Sequence, residues 1–202
     1  MPPDRPGARP TAARIPRCAE AERGYDVAQV DDFLAAVHTA LQHAAPGAGP
    51  ELRPGTVLST HVRTAVFADA RGGYRPEAVD ELLDAAEDAL ATAERERCLR
   101  VRGPEAWQEH LDALTRLLRN RLDRPRTLRF RRPSRPRAQG YSAAHVDVLC
   151  ERLDARLEGA ADLAPTELRR AVFPPAQGER SYEEQQVDAF LDRAVQLLLA
   201  SR

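Results

Sequence analysis

The stretch GYDVAQVDDFLAAV, residues 24–37, decides how the rest of the chain is read, because its pattern returns three more times. Tyr25 is followed at plus five and plus six by Val30 and Asp31, at plus eight and nine by Phe33 and Leu34, and at plus twelve by Val37. Tyr74, Val79, Asp80, Leu82, Leu83 and Ala86 keep those offsets. So do Tyr141, Val146, Asp147, Leu149, Cys150 and Leu153, and then Tyr182, Val187, Asp188, Phe190, Leu191 and Ala194. Self-similarity at this scale marks a chain built of repeats.

Each copy reads as a helix behind a Gly-Tyr corner. Val30, Leu34, Val37 and Leu41 step by four, three and four, the seam of a heptad. Val79, Leu83, Ala86 and Leu90 repeat it, then Val146, Cys150, Leu153 and Leu157, then Val187, Leu191, Ala194 and Leu198. Helices this short are marginal alone in water, so each must bury its stripe against another. Pairing first with second and third with fourth inside one chain would suffice, and pairing between chains fits the pattern equally well. The Asp at plus six lies early in each helix, where opposing the helix dipole is worth about 0.3–1 kcal/mol. At the corner, the Tyr ring is expected to lie on its own helix with its hydroxyl toward solvent or a backbone group. Gly24, Gly73 and Gly140 precede three of these tyrosines but Ser181 precedes Tyr182, so a strict positive-φ requirement does not extend to the fourth copy.

The elements VRTAVF (62–67) and LRRAVF (168–173) stand ahead of the second and fourth copies, and the first and third lack so clear a match. This ordering predicts two copies of a two-repeat unit. Residues 1–13 form a disordered tail and residues 14–102 the first lobe. A connecting helix carrying Trp107 takes 103–125, and an Arg-rich linker with the second lobe takes 126–202. The fold class expected is all-α, with short heptad-bearing helices in helical hairpins and two similar two-repeat lobes. Gly103-Pro104 punctuates, and residues 124–139 read as an extended, exposed linker.

Composition narrows the function. The chain of 202 residues is 30% charged and only 5% aromatic, which suits helices with small cores and solvated outer faces. All 30 positive residues are Arg and Asn occurs once, a bias better explained by a GC-rich genome than by nucleic-acid chemistry, and the net charge of −1 argues the same way. Three cysteines, Cys18, Cys98 and Cys150, are odd in number and widely spaced, which suggests neither a disulfide framework nor a zinc site. His38, His43, His61, His110 and His145 are scattered, with no phosphate loop and no nucleophile elbow. The expectation is a protein without enzymatic activity, cofactor or metal, in a reducing cytoplasm.

The stretch ERGYDVAQVDDFLAAV resembles the N-terminal signature of the DivIVA family of bacterial cell-division and polar-growth proteins. There an apolar-x4-Phe element, an Arg-Gly-Tyr-Asp corner and a V-D/N-x-F-L helix follow in order. Val62, Phe67, Tyr74, Val79 and Leu83 fit that register, while two extra residues precede Tyr182 in the fourth copy. The resemblance covers roughly half the chain and implies a cytoplasmic scaffold that associates with itself or with another family member, and peripherally with the inner face of curved membrane. Its site residues would be the corners, Gly24, Tyr25, Gly73, Tyr74, Gly140, Tyr141 and Tyr182, and the seam, Val30, Leu34, Val79, Leu83, Val146, Leu153, Val187 and Leu191. Typical members touch membrane through an exposed Phe beside an Arg ahead of the corner. The aligned pairs here are Glu22-Arg23, Arg71-Gly72, Ala138-Gln139 and Glu179-Arg180, so Arg23 alone is matched and the Phe is missing. The long coiled coil of typical members is missing too. A second reading makes the chain a peripheral binder of anionic lipid or nucleic acid through residues 119–137, with Arg129, Phe130, Arg131 and Arg132 as contacts.

Overall fold

The computed structural model describes residues 15–44, 54–135 and 138–202, and the tail expected over 1–13 lies outside these. The chain divides into two units, Met1–Leu90 and Ala91–Arg202.

In the first unit β1 (Arg23–Tyr25) leads into α1 (Val27–Ala44), and α2 (Ser59–Arg63) leads through extended chain into β2 (Asp69–Arg71) and the start of α3 (Pro76–Leu122). β1 and β2 pair antiparallel with Gly24 opposite Ala70, and single bridges join Tyr74 to both Tyr25 and Arg17. Asp26 caps α1, its Oδ1 accepting the Gln29 N–H at 2.9 Å. Pro76 opens α3, where its missing N–H is no loss. Val30 and Val79 are fully buried in one cluster with Ile15 and Tyr74, and the partly buried Leu34 and Leu83 pack against it. Val37, Ala40, Val62 and Leu90 form a second cluster.

In the second unit the elements after α3 are β3 (Gln139–Ser142), α4 (Ala143–Leu157), α5 (Pro165–Arg169), β4 (Pro175–Gln177), a 3-10 turn (Gly178–Arg180), β5 (Ser181–Tyr182) and α6 (Glu184–Ala200). The sheet runs β4-β3-β5, antiparallel throughout, with Tyr141 opposite Tyr182. α3 breaks at Gly103, whose φ of 87° lies outside the helical region. Beyond the break Leu114, Leu118 and Leu122 enter the same core as Val146, Leu153, Val187 and Leu191, so the helix expected as a connector forms a wall of this unit.

The two sheets correct the all-α expectation. The protein is helix-rich but mixed, with 62% helix and 10% strand among the described residues, and helical hairpins alone do not describe it. At each corner two repeats cross with their backbones in contact, and extended chain is the conformation in which each satisfies the other's N–H and C=O groups. The Gly-Tyr corners, read as turns into helices, are themselves the strands.

Of the described residues of 124–139, expected as exposed linker, most are exposed, but Arg129 and Phe130 are not: at 7% and 4% exposure they belong to a strap laid across the second unit's core. It has three counterparts. Ile15-Pro16, Phe67-Ala68, Phe130-Arg131 and Phe173-Pro174 each run over the corner of the partner repeat, so the first and third copies do possess the element they lacked in sequence. The backbone bond is the same in all four. The residue after each corner Tyr donates its N–H to the strap: Arg75 to the Pro16 carbonyl at 2.9 Å, and Asp26 to Ala68, Glu183 to Arg131 and Ser142 to Pro174 at 2.8 Å.

Candidate functional site

The residues that recur in every copy meet at the crossings. Tyr74 donates its hydroxyl to Asp31 Oδ1 at 3.0 Å, and Tyr182 donates to Asp147 Oδ1 at 3.0 Å. Tyr25 and Tyr141 likewise face Asp80 and Asp188, whose carboxylates help to raise their hydroxyl pKa. Each corner Tyr thus has the plus-six Asp of its partner repeat as a neighbour, first with second and third with fourth, and in Tyr74 and Tyr182 the contact is a hydrogen bond. The hydroxyls of Tyr74 and Tyr182, expected to reach solvent or a backbone group, therefore meet a side-chain carboxylate of the partner repeat instead. The joint presence of Tyr and Asp in all four copies was the available signal, but the partner lies 35 or more residues away in the chain.

In the second unit the crossing is buried and more elaborate. Asp147 Oδ2 accepts the Thr127 N–H at 2.7 Å, and Arg129 Nη1 donates to the Asp147 carbonyl at 3.1 Å and lies 3.4 Å from its Oδ1. Arg129 also donates from Nε to the Leu122 carbonyl at 3.3 Å, and its backbone N–H reaches the Tyr182 hydroxyl oxygen at 3.2 Å. Thr127 adopts φ 66°, a left-handed conformation costing roughly 1–2 kcal/mol for a residue with a Cβ, held where its N–H meets Asp147. The matched charges make burial of Arg129 and Asp147 tolerable.

Burial, reinforced by the facing carboxylates, raises the hydroxyl pKa of Tyr25, Tyr74 and Tyr141. Tyr182 is pushed up to about 12, first by desolvation and then by the Asp147 charge, against the opposing effect of the Arg129 N–H. A folded-state value above the ordinary 10 means the fold favours the neutral phenol. That contribution is complete below pH 10 and is lost as pH rises through about 12. The expected result is cooperative alkaline unfolding of the second unit between those limits, followed by near-ultraviolet circular dichroism, with Tyr182→Phe moving the transition.

The corner glycines serve close approach rather than left-handed backbone. A Cβ on Gly24 would lie 2.2 Å from the Tyr74 carbonyl oxygen, on Gly73 2.4 Å from that of Tyr25, and on Gly140 2.1 Å from that of Tyr182. Positive φ falls instead at Gly72 and Gly178. The fourth copy, longer by two residues, has the three-residue 3-10 turn Gly178–Arg180 ahead of its corner, and Ser181, extended at φ −120°, turns its hydroxyl to the Gly178 carbonyl at 2.9 Å.

Of the seam residues, Val30, Val79, Leu153 and Val187 are at 0% exposure, Val146 at 1% and Leu191 at 7%, while Leu34 and Leu83 are half-buried. The residues suggested for lipid or nucleic-acid contact do not form one surface. Phe130 stacks edge to face on Tyr182 and Phe190, at 5.2 and 5.1 Å between centroids, so its ring faces the core and not a lipid interface. Arg129 is buried on Asp147. Arg131 pairs with Glu183 at 2.7 Å, Arg132 with Glu179 at 3.6 Å, and Arg126 and Arg119 with Glu151 and Asp154. Arg23, exposed, lies 3.5 Å from Asp69.

Burial pushes the Cys150 thiol up to about 12, leaving it protonated and unreactive at neutral pH. Among the described residues no group of three or more His, Cys, Asp or Glu side chains is placed to hold a metal ion, and no helix is long and apolar enough to cross a membrane. Comparison with protein-family models, with curated proteins and with solved structures finds no match to this chain.

Proposed function

We propose that this protein is a non-enzymatic, DivIVA-like interaction protein of bacterial cell division or polar growth, which acts by helix-helix association on the cytoplasmic side of the membrane. One observation carries the reading. The residues that recur in all four copies, the corner Tyr, the plus-six Asp and the seam Val, are spent on holding repeat to repeat. Their chemistry is that of assembly. The outer helix faces, rich in Arg and carboxylates, remain for a protein partner.

A fluorescent fusion of the full chain in a rod-shaped bacterium is expected to accumulate at septa or poles, and a uniform cytoplasmic signal would count against the proposal. Co-sedimentation with anionic vesicles is expected to be weak at low salt, given the ion pairs that occupy the Arg-rich strap. Tight, salt-sensitive binding would instead revive contact through residues 119–137.

A further inference from the structure

The four crossings are not interchangeable. Each strap places one residue beside the position four after its partner's corner Tyr, and two arrangements occur. Ala68 donates its N–H to Gln29 Oε1 at 2.9 Å, and Arg131 donates its N–H to Gln186 Oε1 at 3.1 Å. At the other two crossings the strap residue is Pro16 or Pro174, which has no N–H, and the facing positions are Ala78 and His145. His145 turns its Nδ1 to the Ser142 hydroxyl at 2.9 Å. Donor meets acceptor twice, and where the donor is missing so is the acceptor.

The position eight after the Tyr follows the same division. Beneath the N–H straps stand Phe33 and Phe190, with Phe67 on Phe33 at 5.7 Å and Phe130 on Phe190 at 5.1 Å. Beneath the Pro straps stand Leu82, in one cluster with Ile15, and Leu149, in one cluster with Phe173. Repeats one and four thus offer Gln and Phe while sending out a Pro strap. Repeats two and three place no acceptor against the strap, Ala78 having none and His145 turning its Nδ1 to Ser142, and offer Leu while sending out an N–H strap.

We infer that the repeats are of two complementary types, and that a repeat pairs preferentially with one of the opposite type. A pair of like repeats loses the match on both straps at once. Two of the Gln-and-Phe type leave Gln29 or Gln186 facing Pro, and two of the other type leave the Ala68 or Arg131 N–H to water, since both bonds lie at exposed sites. Of the three ways to pair four repeats, the one joining first with fourth and second with third is disfavoured on the same ground. Between the remaining two, neighbours in the chain close the shorter loops. The partner that competes best for a repeat of this protein, a second copy included, presents the opposite type. This inference stands on the geometry and does not depend on the cellular role proposed above.

The test is a double-mutant cycle in the intact chain, read by hydrogen exchange of the α1 amides. Gln29→Ala, which strands the Ala68 N–H, is expected to speed exchange about fivefold, and Ala68→Pro, which strands the Gln29 carbonyl, by somewhat less. The double variant, which recreates the arrangement found at Pro174, is expected to return to within about twofold of the unaltered chain. Effects that simply multiply would overturn the inference. A second measurement needs no variant. A concentrated mixture of nitrogen-14 and nitrogen-15 chains is cross-linked through carboxylates, and links between copies of the same repeat would also overturn it.

Discussion

Asp147→Ala is expected to lower the stability of the second unit by about 3–5 kcal/mol, the cost of leaving a buried charge without its partner. The variant strips one carboxylate from three donors: the Tyr182 hydroxyl, the Thr127 N–H and the Arg129 guanidinium, whose side chain is 8% exposed. At that exposure water replaces little of what is lost, and Glu151, 3.9 Å from Nη1, is the carboxylate left to it. The equivalent change in the first unit, Asp31→Ala, removes the bond from Tyr74 at a part-buried site and should cost only about 1 kcal/mol. Trp107 belongs to the second unit, so its fluorescence during urea unfolding reports that unit. With a slope of about 1–3 kcal/mol per molar urea, its midpoint should fall by 1 M or more in Asp147→Ala, while the smaller cost of Asp31→Ala is read in the first unit, from amide exchange of α1. Equal losses in the two units would show that the buried network contributes nothing beyond a single hydrogen bond. Asp147→Asn, which keeps an acceptor for Tyr182 but loses the charge, should fall between them.

Gly140→Ala should be at least as damaging, for steric reasons. The added methyl would meet the Tyr182 carbonyl oxygen at 2.1 Å and Pro133 Cγ at 3.0 Å, and the first of these is backbone held in the β3–β5 ladder. Relief requires the strands to separate, which also breaks the Tyr182–Asp147 contact behind them. A loss of about 3 kcal/mol or more is expected, at the severe end for one added methyl. Gly159→Ala is the control. Nothing lies within 4 Å of its Cβ position, and its φ of +74° alone should cost about 1–2 kcal/mol. Thermal unfolding of the two variants side by side separates crowding from backbone strain. Equal losses would mean that the crossing yields to accommodate the methyl.

Most of the helical architecture was legible in residue order, and the reason is that helix signals are local. The seam valines, Asp26 at the head of α1, Pro76 at the head of α3 and Gly103 at its break all act on residues within a turn or two. The strands were not legible, since runs of two to four residues are too short to show an alternating pattern. The straps escaped for a different reason, because the chain length between strap and corner differs in every copy and no single offset aligns them. Phe130 shows the consequence. An aromatic residue among arginines looks like a surface anchor until its own Tyr and Phe partners, Tyr182 and Phe190, are brought to it from the far end of the chain.

Repetition in the order of residues was enough to establish that four like helices exist, where each begins, and which face of each must be covered. Which repeat covers which, and what the recurring Tyr and Asp are for, was decided only by the crossing of distant segments. A helix dipole acts on the same Asp in every copy and favours no particular partner. Only when two extended backbones cross do a hydroxyl, a carboxylate and a missing proline N–H come within hydrogen-bond reach, and there the pairing becomes specific.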